Sequence, residues 1–358
     1  MIIWRLLLFI PLLFLQYLPK PQDLRYFGIS PWANFDGDHY LAIAMHGYDA
    51  SVARFFPLYP MIIKIIANPF FRIPNPYYTF IIGMLVSNIG VLAACLMLYK
   101  LLKIEYSHTY SLWTIILLLV FPTSFFFGSI YSESLFFLLV VLSFYLARKR
   151  KWLPAILFAM FLPITRSVGI AILPALFTEW FLQQKEKNKP PLTILFSLCL
   201  IPISLIAYAF YNSIKFGNWL YFIHAQTELS NGRSSGIILI PQTLFRYGKM
   251  LVTISLTQYI WHIAFLELSI FIFSAILLYI AYIKKVRLSY LIFAILAFLI
   301  PTSTGTFTGL PRYVIVLFPI FIGLALLKNR TVKIIYSVIA IFLTVILLML
   351  FAKGYYVA

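Results

Sequence analysis

The sequence predicts an all-α, polytopic membrane protein, and three observations carry that prediction. Charged residues make up only 11% of the 358 positions against 63% hydrophobic ones, and the mean hydropathy is +0.95. A soluble chain has about a quarter of its residues charged. Apolar runs reach or exceed the roughly 18 residues that cross hydrocarbon as a helix, without the polar alternation of a membrane barrel. Lysine and arginine gather between those runs, as juxtamembrane charges do. The formal charge of +18 therefore speaks about topology and gives no reason to expect nucleic acid.

Taken in order, the apolar runs lie near 2–18, 77–99, 111–128, 131–147, 152–165, 167–183, 192–211, 260–283, 288–301, 312–327 and 332–352, which predicts about eleven transmembrane helices. The pair 152–165 and 167–183 is short enough to form a shallow hairpin. The first run starts as a signal peptide does, but Leu18-Pro19-Lys20-Pro21 offers no small-residue cleavage site, so an uncleaved helix is expected. Residues 38–47, 57–68 and 241–256 are too short or too polar to span and apolar enough to lie flat at headgroup level. Cys95 and Cys199 both sit inside apolar runs, where a thiol is a small hydrophobe, and they frame neither a disulfide nor a zinc site. No repeat of fixed period and no low-complexity segment divides the chain, so residues 1–358 read as one domain.

The positive-inside rule tests this threading, because every second connection must be rich in Lys and Arg. Lys100 and Lys103, the run Arg148-Lys149-Arg150-Lys151, Lys185, Lys187 and Lys189, Lys284, Lys285 and Arg287, and Lys328, Arg330 and Lys333 all fall on one side, which is expected to be cytoplasmic. Asp23, Asp36, Asp38, Asp49, Glu133 and Glu228 fall on the other, whereas Glu105, Glu179 and Glu186 share the basic side. Glu267 lies inside a span near its outer end.

The most reactive stretch is Trp32 to Tyr40, where Asp36, Asp38 and His39 crowd together in a chain that has only 10 acidic residues. One reading is a turn that caps a helix beginning near His39. In a second, one carboxylate is a general base that takes a proton from an acceptor hydroxyl. In a third, the Asp-x-Asp spacing holds a divalent cation through hard oxygen ligands. Two carboxylates and one His are few for a metal, so the base reading is preferred and no metal or other cofactor is expected.

Arg166 and Arg312 stand at exterior ends of apolar runs, where arginine either anchors at the interface or clamps an anion such as a lipid phosphate. Glu133 either caps the helix that starts there or orients a sugar hydroxyl. His46, His224 and His262 show no ligand spacing and are read as structural. Aromatics reach 18%. Most are core and interfacial-belt residues, and Phe55, Phe56, Tyr59, Trp219, Tyr221 and Phe222 are placed to stack on a sugar or flank a prenyl chain.

These residues resemble the PIG-V family, the GPI mannosyltransferase II type within the GT-C superfamily of membrane glycosyltransferases. Asp36, His39 and Tyr40 stand in the family's Trp-Asp-x-x-His-Tyr/Phe frame, with Phe35 in place of the tryptophan. The likeness continues through Gly47-Tyr48, Phe55-Phe56-Pro57-Leu58-Tyr59-Pro60, Ser132-Glu133-Ser134, Thr165-Arg166-Ser167, Phe216-Gly217-Asn218 with Ala225-Gln226, and Pro311-Arg312-Tyr313 with Phe318-Pro319. The resemblance implies a GT-C fold, a polyprenyl-phosphate-linked donor, typically of mannose, and a glycan, lipid or protein acceptor on the non-cytoplasmic face of a prokaryotic plasma membrane or the endoplasmic reticulum. It implies a base at Asp36 or Asp38, with motif position favouring Asp36, and substrate contacts from His39, Tyr40, Tyr59, Glu133, Arg166, Gln226, Arg312 and Tyr313.

The residues fit that chemistry. A sugar on a lipid phosphate has a leaving group that needs little protonation, so one base and a positive clamp suffice for single displacement with inversion. No Gly-rich phosphate loop is present, and nucleotide sugars are cytoplasmic. The alternative is a transporter or flippase of an anionic lipid-linked substrate, which would also use exterior arginines but would show mid-membrane ionisable residues or paired broken helices.

Overall fold

A computed structural model describes residues 1–17, 31–67, 75–186, 189–229, 233–234 and 236–358, without the side chains at 17, 228 and 229. The cleavage-site reading at 18–21, Asn68, Lys187 and the exterior placements of Asp23 and Glu228 lie outside the described residues. Every regular element among those described is an α or 3-10 helix.

All eleven apolar runs are helical, but as a count of crossings the sequence prediction is not reproduced. Among the described residues only Pro76–Leu102, Thr193–Phe216, Tyr259–Ile283 and Arg330–Ala352 are both long and apolar enough to span. Hydropathy counts apolar runs, not continuous helices, and proline divides several of them. The first run is split into Ile2–Leu7 and a 3-10 segment beginning at Pro11. The run near 312–327 is split into Leu310–Val314 and Phe318–Ala325, where Pro319 occupies the first turn of the second piece. The three stretches expected to lie flat are the short helices Asp36–His46, Leu58–Ala67 and Ile240–Thr253.

The spanning helices form for visible local reasons. Asn75 caps Pro76–Leu102 by accepting from the Tyr77 and Tyr78 amides, with Pro76 preset for the first turn, and Asn329 caps Arg330–Ala352 through Thr331. On Pro76–Leu102 the buried face carries Gly83, Ser87, Gly90 and Ala94, while Ile81, Leu85, Ile89 and Leu96 point outward. Small residues let backbones approach, and a Cβ at Gly90 would stand 3.3 Å from Ser134 Oγ on the neighbouring Glu133–Arg148 helix.

That neighbour joins two polar centres. At its Arg148 end, Glu179 accepts from Arg287 Nε and Nη2 at 2.6 and 2.7 Å and from Ser289 Oγ at 2.6 Å, and Arg148 bridges to Glu105. At its Glu133 end, Asp36, Arg166 and Arg312 converge. The two ends are 15 residues apart, about 22 Å at 1.5 Å per residue. Residues that the charge rule assigned to opposite sides therefore do gather at opposite ends of one helix.

Candidate active site

The Asp36 loop is fixed by long-range hydrogen bonds to two other segments. Ile130 N donates to Trp32 O at 2.9 Å, Tyr131 Oη donates to Asn34 O at 2.7 Å, and Asn34 Nδ2 donates to Phe351 O at 2.6 Å. The loop is thus tied both to the entry of Glu133–Arg148 and to the end of the last helix. Phe35 sits at φ 58°, ψ −115°, a left-handed conformation that a bulky residue adopts only where its surroundings impose it. Its ring is held between Phe351 and Tyr356, at 5.9 and 6.0 Å.

The helix begins at Asp36 and not near His39, as the capping-turn reading has it. The correction separates the two carboxylates, because positions i and i+2 of a helix do not share a face. Asp36 meets Arg312, its Oδ2 accepting from Nη1 at 2.6 Å. Asp38 makes no side-chain bond among the described residues. Burial pulls the Asp36 carboxyl upward, but Arg312 outweighs it and holds Asp36 below the ordinary carboxylate range. Burial without such a partner pushes Asp38 up to about 6. His39 is lowered, first by burial.

Behind Arg312 lies Glu133, the first residue of its helix, with no capping bond there. The cap reading therefore does not hold. Its fully buried carboxylate is ion-paired with Arg166 and stands 3.9 Å from Arg312. Arg166 lies 4.6 Å over the Tyr313 ring, and Arg312 packs over Tyr131 at 5.3 Å. Asp36, Glu133, Arg166 and Arg312 form a charge-balanced quartet from four separate segments.

One wall of this quartet opens on a cavity of about 760 Å³. Of the residues expected from sequence, Asp36, His39, Tyr40, Arg166, Gln226, Arg312 and Tyr313 line it, together with Phe55 and Phe56. Asp38, Tyr59 and Glu133 do not. Tyr59 is wholly buried, its hydroxyl 2.6 Å from Ser87 Oγ and its ring edge-on to Tyr40 at 5.1 Å, so it supports Tyr40 from behind.

The cavity also holds residues that sequence reasoning passed over: Arg54, Arg233, Arg246, Tyr247, Thr306 and Tyr356. Glu267 joins them, its Oε2 accepting from Tyr247 Oη at 2.5 Å and its Oε1 from Gly309 N at 3.2 Å. Those bonds hold the 303–309 loop against the cavity, which Gly305, Thr306 and Thr308 line. Among the described residues no cluster of three or more His, Cys, Asp or Glu could hold a metal ion.

The mannosyltransferase (PIG-V) family profile matches residues 24–210, which take in Asp36, Glu133 and Arg166. The chain belongs to the PIG-V family. No curated protein matches it in sequence. In structure, this PIG-V chain is similar to the apo oligosaccharyltransferase of Archaeoglobus fulgidus at TM-score 0.50 and 12% identity, over 100% of this chain and 56% of that one. A second structure, the archaeal oligosaccharyltransferase AglB from the same organism with an inhibitory peptide and a dolichol-phosphate, aligns at TM-score 0.46 and 13% identity, over 99% of this chain and 56% of that one. The chain therefore spans about half the length of these structures. The first likeness shows a shared fold.

The PIG-V chain is thus a membrane protein of a glycosyltransferase family, with its motif aspartate at a cavity wall. Arg312 lies beyond the matched region, 276 residues from Asp36 in sequence.

Proposed function

We propose that the protein transfers a sugar, mannose by family, from a polyprenyl-phosphate donor to an acceptor hydroxyl on the non-cytoplasmic side, with inversion. The observation that carries this reading is Asp36 on the wall of an arginine-rich cavity, held as a carboxylate by Arg312. Asp36 takes the proton of the acceptor hydroxyl, whose oxygen attacks the anomeric carbon as the bond to the donor phosphate breaks. Polyprenyl phosphate leaves with the electron pair, so no general acid is required. Only Oδ2 of Asp36 is engaged by Arg312, which leaves Oδ1 for the incoming proton. Phe55 and Phe56 supply apolar and aromatic surface for the ring and the prenyl chain.

Geometry favours Asp36 over Asp38, which lies outside the cavity wall, and the separation of the two carboxylates favours a base over a shared cation. The expected assay result is transfer from polyprenyl-phosphate mannose by the purified chain in nanodiscs, undiminished by EDTA. The pH profile of kcat/KM, which reports groups of the free enzyme, separates the two aspartates. A base held below the usual carboxylate pKa of about 3.9 stays charged as pH falls, so the rate holds to about pH 4 before it drops. If Asp38 were the base, half the rate would be gone at about pH 6, the value to which burial pushes it. No transfer from that donor, or strict cation dependence, removes the corresponding part of the proposal.

A further inference from the structure

Five arginines line the cavity, Arg54, Arg166, Arg233, Arg246 and Arg312, against the carboxylates of Asp36 and Glu267. Two of the five already face acids. Arg312 is 2.6 Å from Asp36, and Arg166 is paired with Glu133. A phosphate seated on either one would sit beside a carboxylate and be repelled by it.

Arg233 shares the Tyr313 ring with Arg166, at 5.9 Å, but it and Arg246 are partnered differently. Arg233 Nη2 donates to Thr308 O at 3.0 Å and its Nη1 to Gln226 Oε1 at 3.4 Å, while Arg246 Nη1 donates to Gly305 O at 3.1 Å. Those acceptors are neutral, and among the described residues neither arginine meets a carboxylate at ion-pair distance. Both reach over the 303–309 loop, whose Thr306 and Thr308 also line the cavity. The nearby Glu267 is occupied by Tyr247 and the Gly309 amide.

Single displacement adds a geometric demand. The attacking oxygen and the departing oxygen must lie on opposite sides of the anomeric carbon, so base and leaving phosphate cannot share one guanidinium.

We infer that Arg233 and Arg246, with the Thr306 and Thr308 hydroxyls, form the seat for the donor phosphate, while Arg166 and Arg312 are positioning residues that hold Glu133 and Asp36. This rests on the polyprenyl-phosphate reading above and divides the arginines that the sequence left as one clamp. The sugar then lies between the 303–309 loop and Asp36, with its leaving oxygen toward the loop and its open face toward the carboxylate. Gln226 steadies Arg233.

The test compares binding of polyprenyl phosphate and of uncharged polyprenol to the purified full chain in nanodiscs. The wild type is expected to prefer the phosphate. Arg233→Gln and Arg246→Gln each weaken phosphate-lipid binding by roughly tenfold, the order of a lost charge-assisted bond, and leave polyprenol binding unchanged. Arg166→Lys and Arg312→Lys keep the preference. Preference retained in both Gln variants, or lost in the Lys variants instead, overturns the assignment of the seat while the donor class stands. A wild type with no preference for the phosphate lipid overturns the seat and the donor class together.

Discussion

Asp36→Asn is expected to lower kcat by about 10²–10⁴-fold, the range that a positioned general base supplies, while donor binding and thermal stability change little. The substitution keeps the size and hydrogen-bonding capacity of the side chain but removes the proton acceptor. Arg312 is not stranded by it, because Glu133 stands 3.9 Å away. Single-turnover transfer in nanodiscs, with donor affinity measured separately, reads the two effects apart. Undiminished turnover in Asp36→Asn would remove Asp36 as the base, and an equal loss in Asp38→Asn would show that the two aspartates act together.

Glu133→Gln is expected to be the most destabilising single change at the site. Glu133 is 0% exposed and its carboxylate faces two largely buried arginines, Arg166 and Arg312. Removing one partner of a buried ionic group strands the others, at about 3–5 kcal/mol. Arg166 is left with the ring of Tyr313 alone, and Arg312 is drawn entirely onto Asp36. Activity falls with stability, because both cavity-lining arginines shift. Unfolding of the detergent-solubilised variant reads the stability. Glu133→Asp, which keeps the charge, should recover part of it, and an unfolding midpoint equal to wild type in Glu133→Gln would mean that the quartet is not held by its charges.

Much of the cavity wall was legible in the chain because a membrane protein spends few polar residues without reason. Asp36, Arg166, Arg312 and Tyr313 stand out against apolar surroundings, and charge alternation across the runs assigned them to one end. The two-ended arrangement about Glu133–Arg148 bears the same stamp. What escaped is what depends on local backbone geometry or on tertiary contact. Asp36 and Asp38 looked like a pair because a loop was assumed; once the helix starts at Asp36, a spacing of two turns them to different faces. Glu133 read as a cap or as a sugar contact, since only folding brings Arg166 to it.

Arg233 and Arg246 carried no motif, Arg246 lay in a stretch read as a surface helix, and both gained significance only when the 303–309 loop packed beneath them. Tyr356 reaches the cavity because the end of the last helix is tied to Asn34 by two hydrogen bonds, contacts that no periodicity shows. The count of crossings is not reproduced for a simpler reason. Proline interrupts the hydrogen-bond ladder without interrupting hydropathy, so runs that look continuous on a transfer scale are broken in the fold.

The most direct measurement is the structure of the full chain with polyprenyl-phosphate mannose bound in a lipid nanodisc. The account predicts the sugar inside the cavity, its phosphate against Arg233 and Arg246, and the face of the anomeric carbon opposite the phosphate turned toward Asp36 with room for one acceptor oxygen at about 3–3.5 Å. A donor bound elsewhere on the protein, or an anomeric carbon whose open face points away from Asp36, would contradict it.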